Sequence, residues 1–167
     1  MDYKKLIRDV PDFPIQGVLF RDVSPLLQNA KAFSQVAVDF SKLIDLSRVD
    51  LFVGIESRGF VFAAQMAAKF NKGFLPLRKA GKLPPPVNQE SYQLEYGSAT
   101  LEMVPAPKKL NVVICDDVLA TGGTLQAAIK LCEKSGYEVQ DLLVLIDLTF
   151  LNQMKFKNKK VNSLVQY

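Results

Sequence analysis

The chain has 167 residues, the length of one ordinary domain: enough for a full sheet with helices on both faces, and short for a second domain. With 49% hydrophobic and 23% charged residues, no apolar run of membrane-spanning length and no signal peptide visible over Met1–Val10, it reads as a soluble globular chain with no membrane partner. The net charge of +4 suits a polyanion or a small anionic substrate equally, while the absence of histidine removes Ser-His and Cys-His catalysis and leaves acid–base work to carboxylates, lysines and tyrosines.

From Met1 to about Val23 periodicity is weak and Pro11 and Pro14 bracket Asp12-Phe13, so this segment reads as an extended flap. Asn29 is placed to cap a helix from Ala30 to about Ile44, because Phe33, Val36, Ala37, Phe40 and Ile44 recur at helical spacing. Leu51–Gly54 is a short strand, GIESRG a loop at its carboxyl end, Phe60–Phe70 an alanine-rich helix and Gly73–Leu77 the returning strand, which together make one βαβ unit. A proline-rich loop over Gly81–Asn88 leads to two shorter strands near Tyr92–Tyr96 and Ala99–Val104, with Gly97-Ser98 as the expected hairpin turn. Asn111–Cys115, a helix after Thr124 that Gly136 ends, and the strand Val139–Leu148 form a second βαβ unit. The expected fold is therefore α/β, a mainly parallel twisted sheet flanked by helices.

Cys115 and Cys132 fall on segments read as buried strand and helix, too few and too isolated for a disulfide framework or a zinc site, which fits a reducing cytoplasm. The densest basic run, Lys155, Lys157, Lys159 and Lys160, contains a single aromatic, Phe156, and no recognisable binding module; it reads as a solvated surface segment, and no nucleic-acid partner is expected.

The most informative stretch is Asn111–Thr124, NVVICDDVLATGGT. Val112, Val113 and Ile114 are β-branched and uninterrupted by polar residues, as in a strand buried on both faces of a parallel sheet, and Asp116 and Asp117 then fall at its carboxyl end. Gly122 and Gly123 free the backbone so that successive N–H groups can converge on one anion. The helix that follows, with Leu125, Ala128, Ile129 and Cys132 as its apolar stripe, turns its positive end toward the same point. A phosphate fits that turn, with the hydroxyls of Thr121 and Thr124 as further donors, whereas the two carboxylates repel phosphate and accept hydrogen bonds from sugar hydroxyls. Gly54 and Gly59 have Walker spacing but precede Phe60 and Val61 rather than Lys and Ser/Thr, and no Rossmann glycine triplet occurs.

DDVLATGGT resembles the phosphoribosyl pyrophosphate signature of the type I phosphoribosyltransferases, in the form carried by the members that use adenine. The resemblance runs over nearly the whole chain, from DFPIQGVLFRDVSPLL through GIESRGF, LRKAGKLP and SYQLEYG. It implies that fold, with a purine-binding flap over residues 1–28 and a mobile lid loop and hairpin over 78–104. The implied activity is transfer of ribose 5-phosphate from phosphoribosyl pyrophosphate to adenine, giving AMP and pyrophosphate. It also implies a homodimer and magnesium carried mainly by the substrate, since Asp116 and Asp117 alone make no compact set of metal ligands.

By the same resemblance Asp116, Asp117, Ala120, Thr121, Gly122, Gly123 and Thr124 hold the sugar phosphate, and Ser57, Arg58, Arg78, Lys79 and Lys82 the pyrophosphate. The Glu56–Ser57 peptide is implied to be cis. Glu95 matches the acid–base carboxylate, with Tyr96 beside it to position that group or cover the ribose. Leu19, Phe20, Arg21 and Leu119 form the adenine site, Phe20 as the aromatic platform in a chain without tryptophan, Leu19 and Leu119 as an apolar rim. Each has a plainer alternative: a surface ion pair with Glu56 for Arg58, a solvated loop for Arg78, Lys79 and Lys82, exposed hairpin alternation for Glu95 and Tyr96, and the general core for Phe20. At the level of function the alternatives are another purine base as substrate, or a ligand-sensing regulator that keeps the pocket without turnover.

Overall fold

The computed structural model describes residues 1–94 and 97–167. A 3-10 turn at Tyr3–Leu6 precedes strands β1 (Arg8–Val10) and β2 (Phe20–Asp22), then helices α1 (Ser24–Gln28) and α2 (Ala30–Ser41). The first βαβ unit is β3 (Leu51–Ile55), α3 (Gly59–Phe70) and β4 (Gly73–Lys79), followed by β5 (Asn88–Leu94) and β6 (Gly97–Met103). The second is β7 (Leu110–Leu119), α4 (Gly123–Lys134) and β8 (Tyr137–Asp147), after which come β9 (Lys155–Phe156), β10 (Lys159–Lys160) and β11 (Asn162–Gln166).

One seven-stranded sheet has the order β11-β8-β7-β3-β4-β6-β5. Its first five strands are parallel and the last two join antiparallel at the edge. The middle is apolar on both faces because helices cover both: Phe52, Val53, Val112, Val113, Ile114 and Cys115 are all fully buried. On one face Phe40 of α2 and Phe62 and Met66 of α3 pack over Phe52, Val113 and Leu143, with the Phe40 and Phe62 rings edge to face at 6.2 Å. On the other, Leu125, Ala128, Leu131 and Cys132 of α4 cover Val112, Ile114, Leu142 and Val144. Each fully buried large side chain contributes about 1.5–3 kcal/mol. Both cysteines are free and buried, and burial raises both thiols, Cys132 to about 12.

Several boundaries differ from the sequence expectations. The amino-terminal segment is more ordered than an extended flap: β1 and β2 pair, α1 follows with Pro25 in its first turn, and buried Tyr3 donates its hydroxyl to Asp39 at 2.7 Å. Helix α2 ends at Ser41, although Ile44 still packs on the core. Strand β5 begins at Asn88, and Gly97 and Ser98 lie within β6, opposite Leu94 and Gln93, rather than in a turn. Strand β7 runs on to Leu119 because its partner β8 is as long and keeps bonding it, Asp116 against Val144 and Leu119 against Asp147. Strand β11 was hidden by the lysine-rich approach to it; all four of those lysines are exposed.

Asn29 caps α2, its side chain accepting from the Ala32 N–H at 3.0 Å. Asn29→Ala is expected to cost about 1 kcal/mol of stability in urea unfolding, with Asn29→Asp close to wild type. Equal midpoints for the alanine variant and wild type would show that the cap adds nothing.

Candidate active site

Strands β3 and β7 are parallel neighbours, Phe52 beside Val113 and Gly54 beside Cys115, so the loops leaving their carboxyl ends emerge side by side. Two glycines let them touch. A Cβ at Gly59 would lie 2.6 Å from the Cys115 carbonyl oxygen and 3.1 Å from Asp116 Oδ1; one at Gly54 would lie 2.9 Å from the Gly59 carbonyl. Only glycine allows the start of α3 to press against β7, and that contact delivers Arg58 to the acids.

Asp116 and Asp117 lie inside the last half of β7, not in a loop after it, and are 9% and 5% exposed. The Asp117 N–H donates to Asp116 Oδ1 at 2.9 Å. Arg58 Nε stands 2.6 Å from Asp117 Oδ2. That oxygen is buried with no aligned hydrogen-bond donor, so the contact is an ion pair held by charge and leaves the oxygen's hydrogen-bonding capacity unspent. Burial pushes both carboxyls above their ordinary range, Asp116 further because the charge of Asp117 adjoins it, while Arg58 pulls the opposite way. The pair therefore resists carrying two negative charges until other donors arrive.

The Arg58 guanidinium also lies over the Phe20 ring, 4.8 Å from its centroid, and Phe13 meets that ring edge on at 5.1 Å. Phe20 is half-buried and stands outside both core clusters. Arg58 thus joins the acid pair to the aromatic face, and its partner is Asp117 rather than Glu56.

Glu56 gathers a second cluster. Its carboxylate accepts from Lys82 Nζ at 2.6 Å, from the Lys79 backbone N–H at 2.9 Å and from Arg78 Nε at 3.3 Å. Lys82 first, then those other donors, hold its carboxyl down at about 2. Arg78 and Lys82 are therefore brought together as a clamp, whereas the Lys79 side chain is exposed and contributes its backbone. Ser57 is exposed beside them, and the Glu56–Ser57 peptide is cis.

The turn Ala120–Thr124 closes the site. Gly122 has φ +92°, a left-handed conformation that β-carbon residues adopt at a cost, and a Cβ there would meet Met154 Sδ at 3.1 Å. Gly123 opens α4, and the Gln93 carbonyl oxygen of β5 comes within 3.5 Å of where its Cβ would be, so the edge hairpin reaches the same turn. Thr121 is exposed and Thr124 half-buried there.

The expected adenine residues are dispersed. Leu19 is exposed next to Phe20, but Leu119 is buried in the core beneath the turn, because β7 continues to that position and faces its side chain inward. It lies below the rim, not on it. The Arg21 side chain pairs with Asp9 and covers the Tyr167 ring at 3.8 Å. Glu95 and Tyr96 lie outside the described residues. Sequence reasoning missed Glu56 as the hub of the clamp, Met154 under the turn and Tyr167 under Arg21. The only signal for Glu56 was its place in GIESRG.

The family model described as the phosphoribosyl transferase domain matches residues 23–161. Adenine phosphoribosyltransferase of Bdellovibrio bacteriovorus is 63% identical over the full length of both chains. The crystal structure of adenine phosphoribosyltransferase from Thermoanaerobacter pseudethanolicus superposes with a TM-score of 0.91 at 40% identity, covering 99% of this chain and 98% of that one. The Saccharomyces cerevisiae enzyme, solved with adenine and an imino-altritol bisphosphate, superposes with a TM-score of 0.86 at 32% identity, covering 98% and 96%. The fold, the paired loops and these relatives agree, and the chain belongs to the phosphoribosyltransferase family, among the adenine phosphoribosyltransferases.

Proposed function

We propose that the chain transfers ribose 5-phosphate from phosphoribosyl pyrophosphate to adenine, releasing pyrophosphate and giving AMP. The observation that carries this is Arg58 joining a buried acid pair on β7, which continues into a glycine turn at the start of α4, to an aromatic face at Phe20, from the same loop whose Glu56 gathers a cationic clamp. A sugar needs acceptors, a pyrophosphate needs cations, and a purine needs a flat apolar surface. The names of the full-length relatives, and the adenine in the yeast structure, support adenine as the base.

In this reading the 5′-phosphate takes the backbone N–H groups of Ala120–Thr124 and the hydroxyls of Thr121 and Thr124. Asp116 and Asp117 accept from the ribose hydroxyls, whose donors relieve the two buried carboxylates. Arg78 and Lys82, with Lys79, Ser57 and Arg58 beside them, take the leaving pyrophosphate, which competes with Glu56 for the same cations. Adenine lies against Phe20, with Leu19 at the rim and the Arg21 backbone toward its edge. Glu95 manages the purine proton as N9 attacks C1′, and Tyr96 covers the ribose. The loop and hairpin over 78–104 act as the lid, and residues 1–28 as the purine flap.

The C1′–O bond to pyrophosphate breaks with its electron pair leaving on pyrophosphate, and the sugar develops oxocarbenium character that N9 quenches. Holding both partners in line and stabilising the leaving anion are the main tasks. Magnesium fits as a passenger on the substrate. No group of three or more metal-binding side chains occurs among the described residues, Asp117 faces Arg58, and magnesium keeps waters and substrate oxygens as its main ligands. It supplies further neutralisation of the pyrophosphate charge. No helix among the described residues is long and apolar enough to cross a membrane. We propose the cytoplasm as the chain's location, in keeping with two free, buried thiols, and a homodimer as its assembly, as the sequence resemblance implies.

The decisive assay combines purified protein, magnesium, phosphoribosyl pyrophosphate and each purine base in turn, with the nucleotide identified. AMP from adenine, and little product from hypoxanthine, guanine or xanthine, is expected; equal turnover of an oxo-purine would overturn the base assignment. Gly122→Val crowds Met154 and strains the turn, so equilibrium binding of phosphoribosyl pyrophosphate should weaken by roughly tenfold or more while the circular dichroism stays native. Unchanged binding would displace the 5′-phosphate from this turn. Asp117→Asn, which exchanges an acceptor-only carboxylate for a mixed amide, is expected to lower kcat/KM by roughly 10- to 100-fold. Phe20→Ala should raise KM for adenine by roughly tenfold and leave that for phosphoribosyl pyrophosphate nearly unchanged. A matching rise in both constants would make Phe20 a scaffold residue.

A further inference from the structure

The loop that carries Lys82 is held by a carboxylate that belongs to none of the sequence motifs. Glu102 on β6 is 1% exposed and lies directly across the ladder from Arg78 on β4. Its Oε1 accepts from the backbone N–H groups of Lys82 at 2.6 Å and Leu83 at 2.7 Å, and its Oε2 from that of Gly81 at 3.0 Å. The Gln89 side-chain amide of β5 donates to Oε2 as well, at 3.2 Å. No cation pairs with it among the described residues; three successive amides form a nest around a charge supplied by the chain itself. Those amides, Gly81 foremost, hold the Glu102 carboxyl below its ordinary range against the cost of burial.

The consequence falls on Lys82. Gly81 has φ +84° and a run of three prolines follows Leu83, so the loop has little pairing of its own. Two contacts fix where Lys82 leaves the backbone: the Glu102 nest, and Arg78 Nη1 donating to the Lys82 carbonyl at 3.4 Å. From there Lys82 Nζ reaches Glu56 Oε1, which Arg78 also meets through Oε2. Moving the loop would strip a buried carboxylate of its donors, which is costly, so Lys82 and Arg78 stay at one spacing.

The geometry points to Glu102 as a positioning residue for the pyrophosphate clamp, acting through the Gly81–Leu83 backbone to place Lys82. This rests on the clamp assignment made under the proposed function. It never touches the reacting atoms. Its effect should therefore appear in pyrophosphate and phosphoribosyl pyrophosphate binding, and be absent from AMP binding, which engages the turn and the base face but not the clamp.

Glu102→Gln keeps the shape and removes the charge. Calorimetric titration with magnesium pyrophosphate, and separately with AMP, is the test, run on wild type, Glu102→Gln, Lys82→Ala and the double variant. Glu102→Gln is expected to weaken magnesium pyrophosphate by about tenfold. AMP affinity should be unchanged, and in the Lys82→Ala background the second change should add little, since both act on one group. Leu83→Pro, which deletes one amide from the loop side and leaves the carboxylate intact, should move pyrophosphate affinity in the same direction should Glu102→Gln fail to fold. Additive losses, an equal loss for AMP, or unaltered pyrophosphate affinity in a folded variant would overturn the role of Glu102. Failure of wild type to bind magnesium pyrophosphate while binding AMP would instead remove the clamp assignment, and the positioning role with it.

Discussion

The close approach of Gly59 to strand β7 is the contact on which the rest of the site depends. With 2.6 Å between the Cys115 carbonyl oxygen and the place a Cβ would occupy, no other residue lets α3 begin there. From that starting point Arg58 spans two environments, a buried carboxylate on one side and an aromatic ring on the other. Parallel pairing of β3 with β7 provides the alignment, because it puts the ends of both strands at the same edge of the sheet. A slip of one residue in that register would exchange the faces onto which Asp116 and Asp117 project and dissolve the arrangement.

Charge is distributed around this contact in separate compartments. The acid pair on β7 is buried and under-supplied with donors, so it favours whatever brings hydroxyl groups or positive charge. Glu56, in contrast, is fully supplied, by Lys82, by the Lys79 backbone and by Arg78, and stays ionised far into acid. It holds the two cations together, which limits the side-chain entropy that an anion binding them would have to overcome. An external anion that engages Arg78 and Lys82 has to compete with this internal one.

The edge hairpin links these compartments mechanically. Strand β6 continues the sheet beyond β4, Lys134 on α4 donates to the Gln89 carbonyl at 2.8 Å, and Asn88 donates to Ser135 at 3.1 Å. The base of the hairpin is thus tied to the helix that follows the glycine turn, and its far end reaches Gly123.

Much of this was legible along the chain, for identifiable reasons. Uninterrupted β-branched runs mark strands buried on both faces, and the periodic stripes of α2, α3 and α4 mark what covers them, so the two βαβ units and the sheet class followed from local pattern. The Gly122-Gly123 turn was readable because a positive φ at the head of a helix is a local demand. Strand lengths were not, since hydrogen bonding to β8 extends β7 through Leu119, and it is this that buries the acids and takes Leu119 below the rim. Nor could Glu56 and Glu102 be seen as hubs: their partners lie 13 to 26 residues away, and a carboxylate in a strand or loop looks the same from sequence whether it faces water or three amides. Sequence by itself determined the order of elements and the chemical kinds of group at the strand ends, because those depend on neighbours along the chain. Tertiary structure alone decided which charges meet, because ion pairing depends on distances set by sheet register and by the absence of a side chain at Gly59.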